Sequence, residues 1–175
     1  MFLVEVVAGV LANSTALLAD SLDMLGDTIV YGFSLYVVAR GPRWQARAAL
    51  LKGVVMAVFG AGLLVQVALT LALGLIPSAR VMSAIGLLAL TANLGCLALL
   101  WSRRDDDINM RSVWTCSRND VMGNAGVLLA ATAVALTGAS WPDIVIGLLM
   151  AAVFGVSAVR VVREAWHQLR APALA

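Results

Sequence analysis

The sequence predicts an all-α integral membrane protein: a six-helix transmembrane bundle whose first helix is short. Three observations carry that prediction. Of 175 residues, 62% are hydrophobic and 13% charged, with mean hydropathy +0.94; a water-soluble domain carries roughly a quarter charged residues and about half apolar ones. The apolar residues gather in runs long enough to cross a hydrocarbon core, for which roughly 20 residues suffice. At that length plus short loops, the chain accommodates about six spans and little else. A single transmembrane domain over residues 1–175 is therefore expected, without a soluble C-terminal domain. This excludes a cytosolic enzyme, a nucleic-acid binder and a secreted disulfide scaffold. Cys96 and Cys116, the two cysteines, lie in or beside apolar runs, so no disulfide framework is implied.

The elements follow from turn and charge punctuation. Residues 2–13 form the first helix; about 12 residues rise only some 18 Å, against a core of about 30 Å. A rival reading makes residues 1–19 one span and moves Asp20, Asp23 and Asp27 toward an interface. The start lacks the basic n-region of a signal peptide and reads as a membrane segment. Asn13-Ser14 breaks the chain before helix 2 at 16–39, and Arg40-Gly41-Pro42-Arg43 before helix 3 at 47–75. Ile76-Pro77-Ser78 precedes helix 4 at 79–101, and the charge run 102–111 leads into helix 5 at 108–137. The turn 138–142 opens helix 6 at 142–166, with Pro142 suited to its first turn.

Arg40, Arg43, Arg47, Lys52, Arg103, Arg104, Arg111, Arg160, Arg163 and Arg170 lie on one side of this frame, ten of the twelve basic residues. The positive-inside rule puts that side, with both termini, in the cytoplasm; a bacterial inner membrane is the expected location. Trp44, Trp101, Trp114, Trp141 and Trp166 fall near predicted helix ends, where interfacial tryptophans prefer to sit.

Glu5, Asp20, Asp23, Asp27 and Asp120 fall inside predicted spans. An ionisable group there costs roughly 2.5–3.5 kcal/mol even on an insertion scale and marks function by default. Asp20, Asp23 and Asp27 share a face about 60° wide, continued by Tyr31 and Ser34. On helix 5, Ser112, Cys116, Asn119 and Asp120 cluster, with Gly123 leaving room beside them. Antiparallel helices 2 and 5 can bring the pairs Asp23/Asp27 and Cys116/Asp120 to one depth, about 20 Å from the inner ends. Three oxygens and a sulfur can close a tetrahedron around a divalent cation. Crowded carboxylates favour a bound cation or protons, and exchanging the two is antiport chemistry. Asp20 is left as either a site residue or a cap or helix contact. Arg118 points away from this face and is expected to snorkel or pair with an acid. The run Asp105-Asp106-Asp107 reads as a solvated loop and His167 as incidental.

These residues resemble a known family. The stretch Ser14-Thr15-Ala16-Leu17-Leu18-Ala19-Asp20-Ser21-Leu22-Asp23-Met24-Leu25-Gly26-Asp27 is similar to the second transmembrane helix of cation diffusion facilitator transporters, with its pattern SxALLADxx(H/D)xxxD. Asn119-Asp120-Val121-Met122-Gly123-Asn124 resembles their fifth-helix pattern (H/D)xxSDxxxN. Arg47 and Lys52 opening helix 3, Trp141-Pro142-Asp143-Ile144 opening helix 6, and the exit at 160–168 are also similar. The resemblance implies that Asp23, Asp27 and Asp120 are metal ligands. Cys116 stands where the family usually has His or Asp, which puts the preferred metal in question. No counterpart of the family's cytoplasmic domain is expected in residues 1–175, and the loop between helices 4 and 5 has no histidine.

The resemblance implies a non-enzymatic efflux transporter that exchanges divalent metal cations for protons by alternating access. Zinc is the expected ion; a thiolate suits zinc or cadmium, and an all-oxygen site suits manganese or iron(II). No prosthetic group is expected. The expected partners are the transported metal ion, protons, membrane lipid and a second copy of the chain in a homodimer through the transmembrane helices. Gly147, Ala151 and Gly155 form a small-residue run on helix 6 that permits close helix approach. Two alternatives stand beside this: a homologue or scaffold that binds metal without flux, and an intramembrane hydrolase built on paired aspartates.

Overall fold

The computed structural model describes residues 1–37, 42–103 and 108–170; some side chains within the helices, including those of Tyr31, Ser34, Ser112 and Cys116, lie outside the described set. Among the described residues the chain forms six α-helices: α1 (Phe2–Ala12), α2 (Thr15–Val37), α3 (Pro42–Leu73), α4 (Ala79–Leu100), α5 (Ile108–Thr137) and α6 (Trp141–Arg170). A 3₁₀ turn, Trp101–Arg103, follows α4. Strands are absent from the described residues. The expected all-α class and helix order are borne out. The largest difference is the start of α3, at Pro42 rather than residue 47. Proline suits a first helical position, because its missing N–H has no intrahelical partner to lose there and its φ is already helical.

The first break settles the rival reading of a single span over residues 1–19. Asn13 takes a left-handed conformation, φ 52°, which ends α1. Its N–H reaches the Val10 carbonyl at 3.2 Å, and the Ser14 N–H reaches the Gly9 carbonyl at 2.9 Å. That pair of bonds is a Schellman closure, which turns the chain sharply into α2. Gly74 closes α3 in the same way, with φ 61° and the Leu75 N–H on the Thr70 carbonyl at 3.1 Å.

Among the described residues three stretches are long and apolar enough to cross a membrane, Gly53–Leu73, Ala79–Leu100 and Ser117–Thr137, while Phe2–Ala12 and Trp141–Val153 are shorter apolar helices. Their outer faces expose Leu64 and Leu71 on α3, Leu87 and Leu99 on α4, Leu129 and Leu136 on α5, and Leu149 and Val153 on α6. In water such surface would drive aggregation; against lipid it is the natural solvent face.

The α2 helix packs against α1, α3, α5 and α6; α4 packs against α1 and α5, and α3 against α6. Ala8, Ala12, Ala16, Leu17, Met82, Val127, Ala130 and Ala131 form a buried core where α1, α2, α4 and α5 meet. Five alanines in that group let the backbones approach closely, which is how helices gain dispersion contacts in a solvent as apolar as themselves. This core lies at the end of the bundle that carries the α1–α2 turn. The acidic residues of α2 follow it in sequence along the same helix.

Candidate metal site

The start of α2 is held by a carboxylate from α6. Asp143, 0% exposed, accepts hydrogen bonds from the Ser14 hydroxyl at 2.7 Å, the Thr15 N–H at 2.6 Å and the Ala16 N–H at 3.1 Å. Ser14 Oγ in turn accepts the Leu17 N–H at 3.1 Å. The first N–H groups of a helix lack partners and carry its positive dipole end, so an anion there satisfies both. Gly147, one turn further along α6, leaves room for this closeness. A Cβ there would stand 2.8 Å from the Thr15 carbonyl carbon and oxygen. The small-residue run of α6 is thus used at Gly147 for packing within the chain. Asp143 escaped the sequence reading as a functional anchor because an acid in a first turn looks like dressing for its own helix.

From this anchor α2 carries Asp20, Asp23 and Asp27 downward on one side. Asp23 and Asp27 are half-buried. On α5, Asp120 is also half-buried; its carboxyl shares a hydrogen bond with that of Asp23, and the charge of Asp27 acts on it. The antiparallel contact of α2 with α5 therefore joins the two expected acidic partners at one depth. Asn124, fully buried one turn on, donates from Nδ2 to the Asp120 carbonyl at 2.6 Å. This spans α5 between the acid and the next turn. Among the described residues no three acidic, cysteine or histidine side chains converge closely enough to enclose an ion. The expected fourth ligand, Cys116, sits on α5 one turn before Asp120, with its side chain outside the described residues.

Asp20 is buried, 2% exposed, and its Oδ1 fills the space a Cβ on Gly123 would need, 2.7 Å away. The room left by Gly123 thus serves Asp20. On α5, Asn119 is exposed while Ser117 is buried, so the inward polar face runs through Ser117 rather than Asn119. Arg118 is exposed, as its outward direction from the acidic face predicted. Glu5 of α1 is 0% exposed, and among the described residues neither of its carboxylate oxygens has a hydrogen-bond partner. Its sequence signal was one acid in an apolar helix; its neighbours could not be read without the packing of α1. Near the other end, the rings of Trp101 and Trp114 meet edge to face at 5.3 Å between centroids.

Apolar outer faces, a closely packed alanine core and carboxyls joined across two helices define a polytopic helical membrane protein with an acidic centre. The chain belongs to the cation efflux transmembrane domain family, whose model matches residues 1–169. It is 27% identical to the metal cation efflux system protein CzcD of Cupriavidus metallidurans over 160 residues, covering 83% of this chain and 50% of that protein. It is 30% identical to the zinc transporter ZitB of Escherichia coli over 181 aligned positions, covering 96% of this chain and 56% of that protein. The chain spans about half the length of these relatives.

Proposed function

We propose that the chain moves divalent metal cations out of the cytoplasm in exchange for protons, with zinc as the expected cargo. The carrying observation is the joining of Asp23 and Asp120 across α2 and α5, with Asp27 acting on the same carboxyl. Family membership and the likeness to CzcD and ZitB support metal transport. Asp23, Asp27 and Asp120 supply oxygen donors when deprotonated, and Cys116 is the proposed fourth ligand. Protons arriving from the opposite side compete for the same carboxylates and release the metal. Alternating access exposes the site to each side in turn, in a bacterial inner membrane with both termini cytoplasmic. A homodimer through the transmembrane helices completes the proposal.

The test is zinc flux into proteoliposomes holding the full chain. Asp27→Ala and Asp120→Ala should each abolish it. Unchanged flux in both would refute the site. Zinc binding by calorimetry without flux in the unaltered protein would instead identify a binding scaffold.

A further inference from the structure

Glu5 and Asp20 stand apart from the proposed ligands. They come from α1 and α2 and are 0% and 2% exposed, and the charge of Glu5 acts on Asp20. Both oxygens of Glu5 and Oδ2 of Asp20 lack a hydrogen-bond partner among the described residues, and so does the buried Oδ1 of Asn124, beside Gly123. Among the described residues, neither Glu5 oxygen is hydrogen-bonded to a proposed ligand, nor is Oδ2 of Asp20. The packing leaves room for Asp20: α5 has no side chain at Gly123, where Asp20 Oδ1 lies.

We propose that Glu5 and Asp20 form a second acidic site, distinct from the metal ligands, that binds one proton of the exchange. Two buried carboxyls, one of which acts electrostatically on the other, cannot both ionise cheaply, and one proton taken up by either removes a charge and supplies an O–H donor. The charges that face the pair are the α-amino group of Met1 on α1, Asp23 on α2 and Asp120 on α5. Among the described residues α3, α4 and α6 bring no charge that acts on either carboxyl.

The inference rests on the reading of the chain as a metal/proton exchanger and assigns that exchange a second place. A divalent cation arriving among Asp23, Asp27 and Asp120 brings positive charge near the pair. The carboxyl O–H then breaks, its proton passes to water on the access path, and a carboxylate remains. When the cation leaves, a proton from water restores the O–H. The transported ion and this proton thus occupy neighbouring but separate sites.

The experiment uses the purified full chain in lipid vesicles, with Glu5→Gln, Asp20→Asn and both together. Two readouts are taken: proton release on adding zinc, and the infrared band of a protonated carboxyl followed through pH. The unaltered protein should show the band. Each variant should lose it while binding zinc within a few-fold of the original affinity, and proton release per zinc should fall by about one. Asp27→Ala should lose zinc binding yet keep the band, so failure of the zinc reading and failure of the pair register separately. Absence of the band in the unaltered protein overturns the proposal without any variant. Its persistence in Asp20→Asn and Glu5→Gln, with unchanged proton release, overturns it equally.

Discussion

Replacing Asp143 with alanine should destabilise the bundle by about 2–4 kcal/mol, since each buried donor left without a partner costs about 1–3 kcal/mol and the costs do not add in full. The figure follows from what the carboxylate holds. Its three bonds, at 2.7, 2.6 and 3.1 Å, each involve a charged acceptor and are individually worth about 1.5–3 kcal/mol, though not additively. Alanine leaves the Thr15 and Ala16 N–H groups without a partner where lipid and packed helices offer none. Asp143→Asn keeps the shape and one acceptor oxygen, so about 1–2 kcal/mol is expected from the lost charge assistance. Ser14→Ala removes one donor to Asp143 and the acceptor for Leu17; it should cost about 1–2 kcal/mol, within the range of a lost N-cap. Thermal unfolding of the detergent-solubilised chain, followed by tryptophan fluorescence, gives the ranking. Hydrogen exchange at Thr15 and Ala16 locates the effect, since both amides should exchange faster in Asp143→Ala. Because Ser14 and Asp143 share a bond, the double variant should cost less than the sum of the singles. A strictly additive double variant, or an Asp143→Ala protein no less stable than Asp143→Asn, would refute the assignment of Asp143 as the anchor of α2.

Gly123→Ala would set a methyl group 2.7 Å from Asp20 Oδ1 and 3.2 Å from Met150 Cε. Overpacking of this kind costs about 1–3 kcal/mol, and the same thermal scan should show it; Asp20→Asn in that background should not relieve it, because the amide is as large as the carboxylate. Gly147→Ala meets Thr15 backbone at 2.8 Å, which cannot swing aside, so its loss should be at least about 2 kcal/mol, read as a lowered melting temperature. Cys116→Ser exchanges a soft donor for a hard one and should lower cadmium flux relative to zinc. Competition flux in vesicles checks this, and an unaltered zinc-to-cadmium ratio counts against the thiolate.

The helices were legible in the sequence because their information is local: apolar runs of spanning length between Gly, Pro, Asn and charged stops. Asn13, Gly74 and Gly138 each mark an end, and each takes a left-handed conformation, φ 52°, 61° and 62°. The meeting of α2 with α5 was also legible, through the repeat of acids at one-turn spacing and the antiparallel order of the two helices. Which side of α5 faces inward was less so. Ser117 and Asn119 are adjacent polar choices on a helix of 30 residues, and the position of the neighbours decided for Ser117. The start of α3 was misjudged because Arg40-Gly41-Pro42-Arg43 reads as a loop, whereas its proline is a helix opener. Asp143 and Glu5 were the least legible, since each acts on a helix distant in the chain, separated from Ser14 by 129 residues in the first case.

The contrast between those two acids explains why burial alone does not mark function here. Asp143 and Glu5 are both 0% exposed, and both cost the bundle free energy if charged without compensation. Asp143 offsets part of that cost through three donors and the positive end of α2. It therefore fixes the height of α2 against α6 and hence of every acid that α2 carries. Among the described residues Glu5 has no such donors, and Asp20, on which its charge acts, also has an oxygen without a partner. A carboxylate held by several donors has less reason to change state. One left incomplete must take up a proton or a cation, and that is the property an exchanger uses. The stability of Asp143 variants and the proton yield of Glu5 variants should therefore separate. Asp143→Asn should weaken the fold while leaving the protonated-carboxyl band of the Glu5–Asp20 pair in place. Glu5→Gln should remove that band without lowering the melting temperature, because it takes away a charge and no bond.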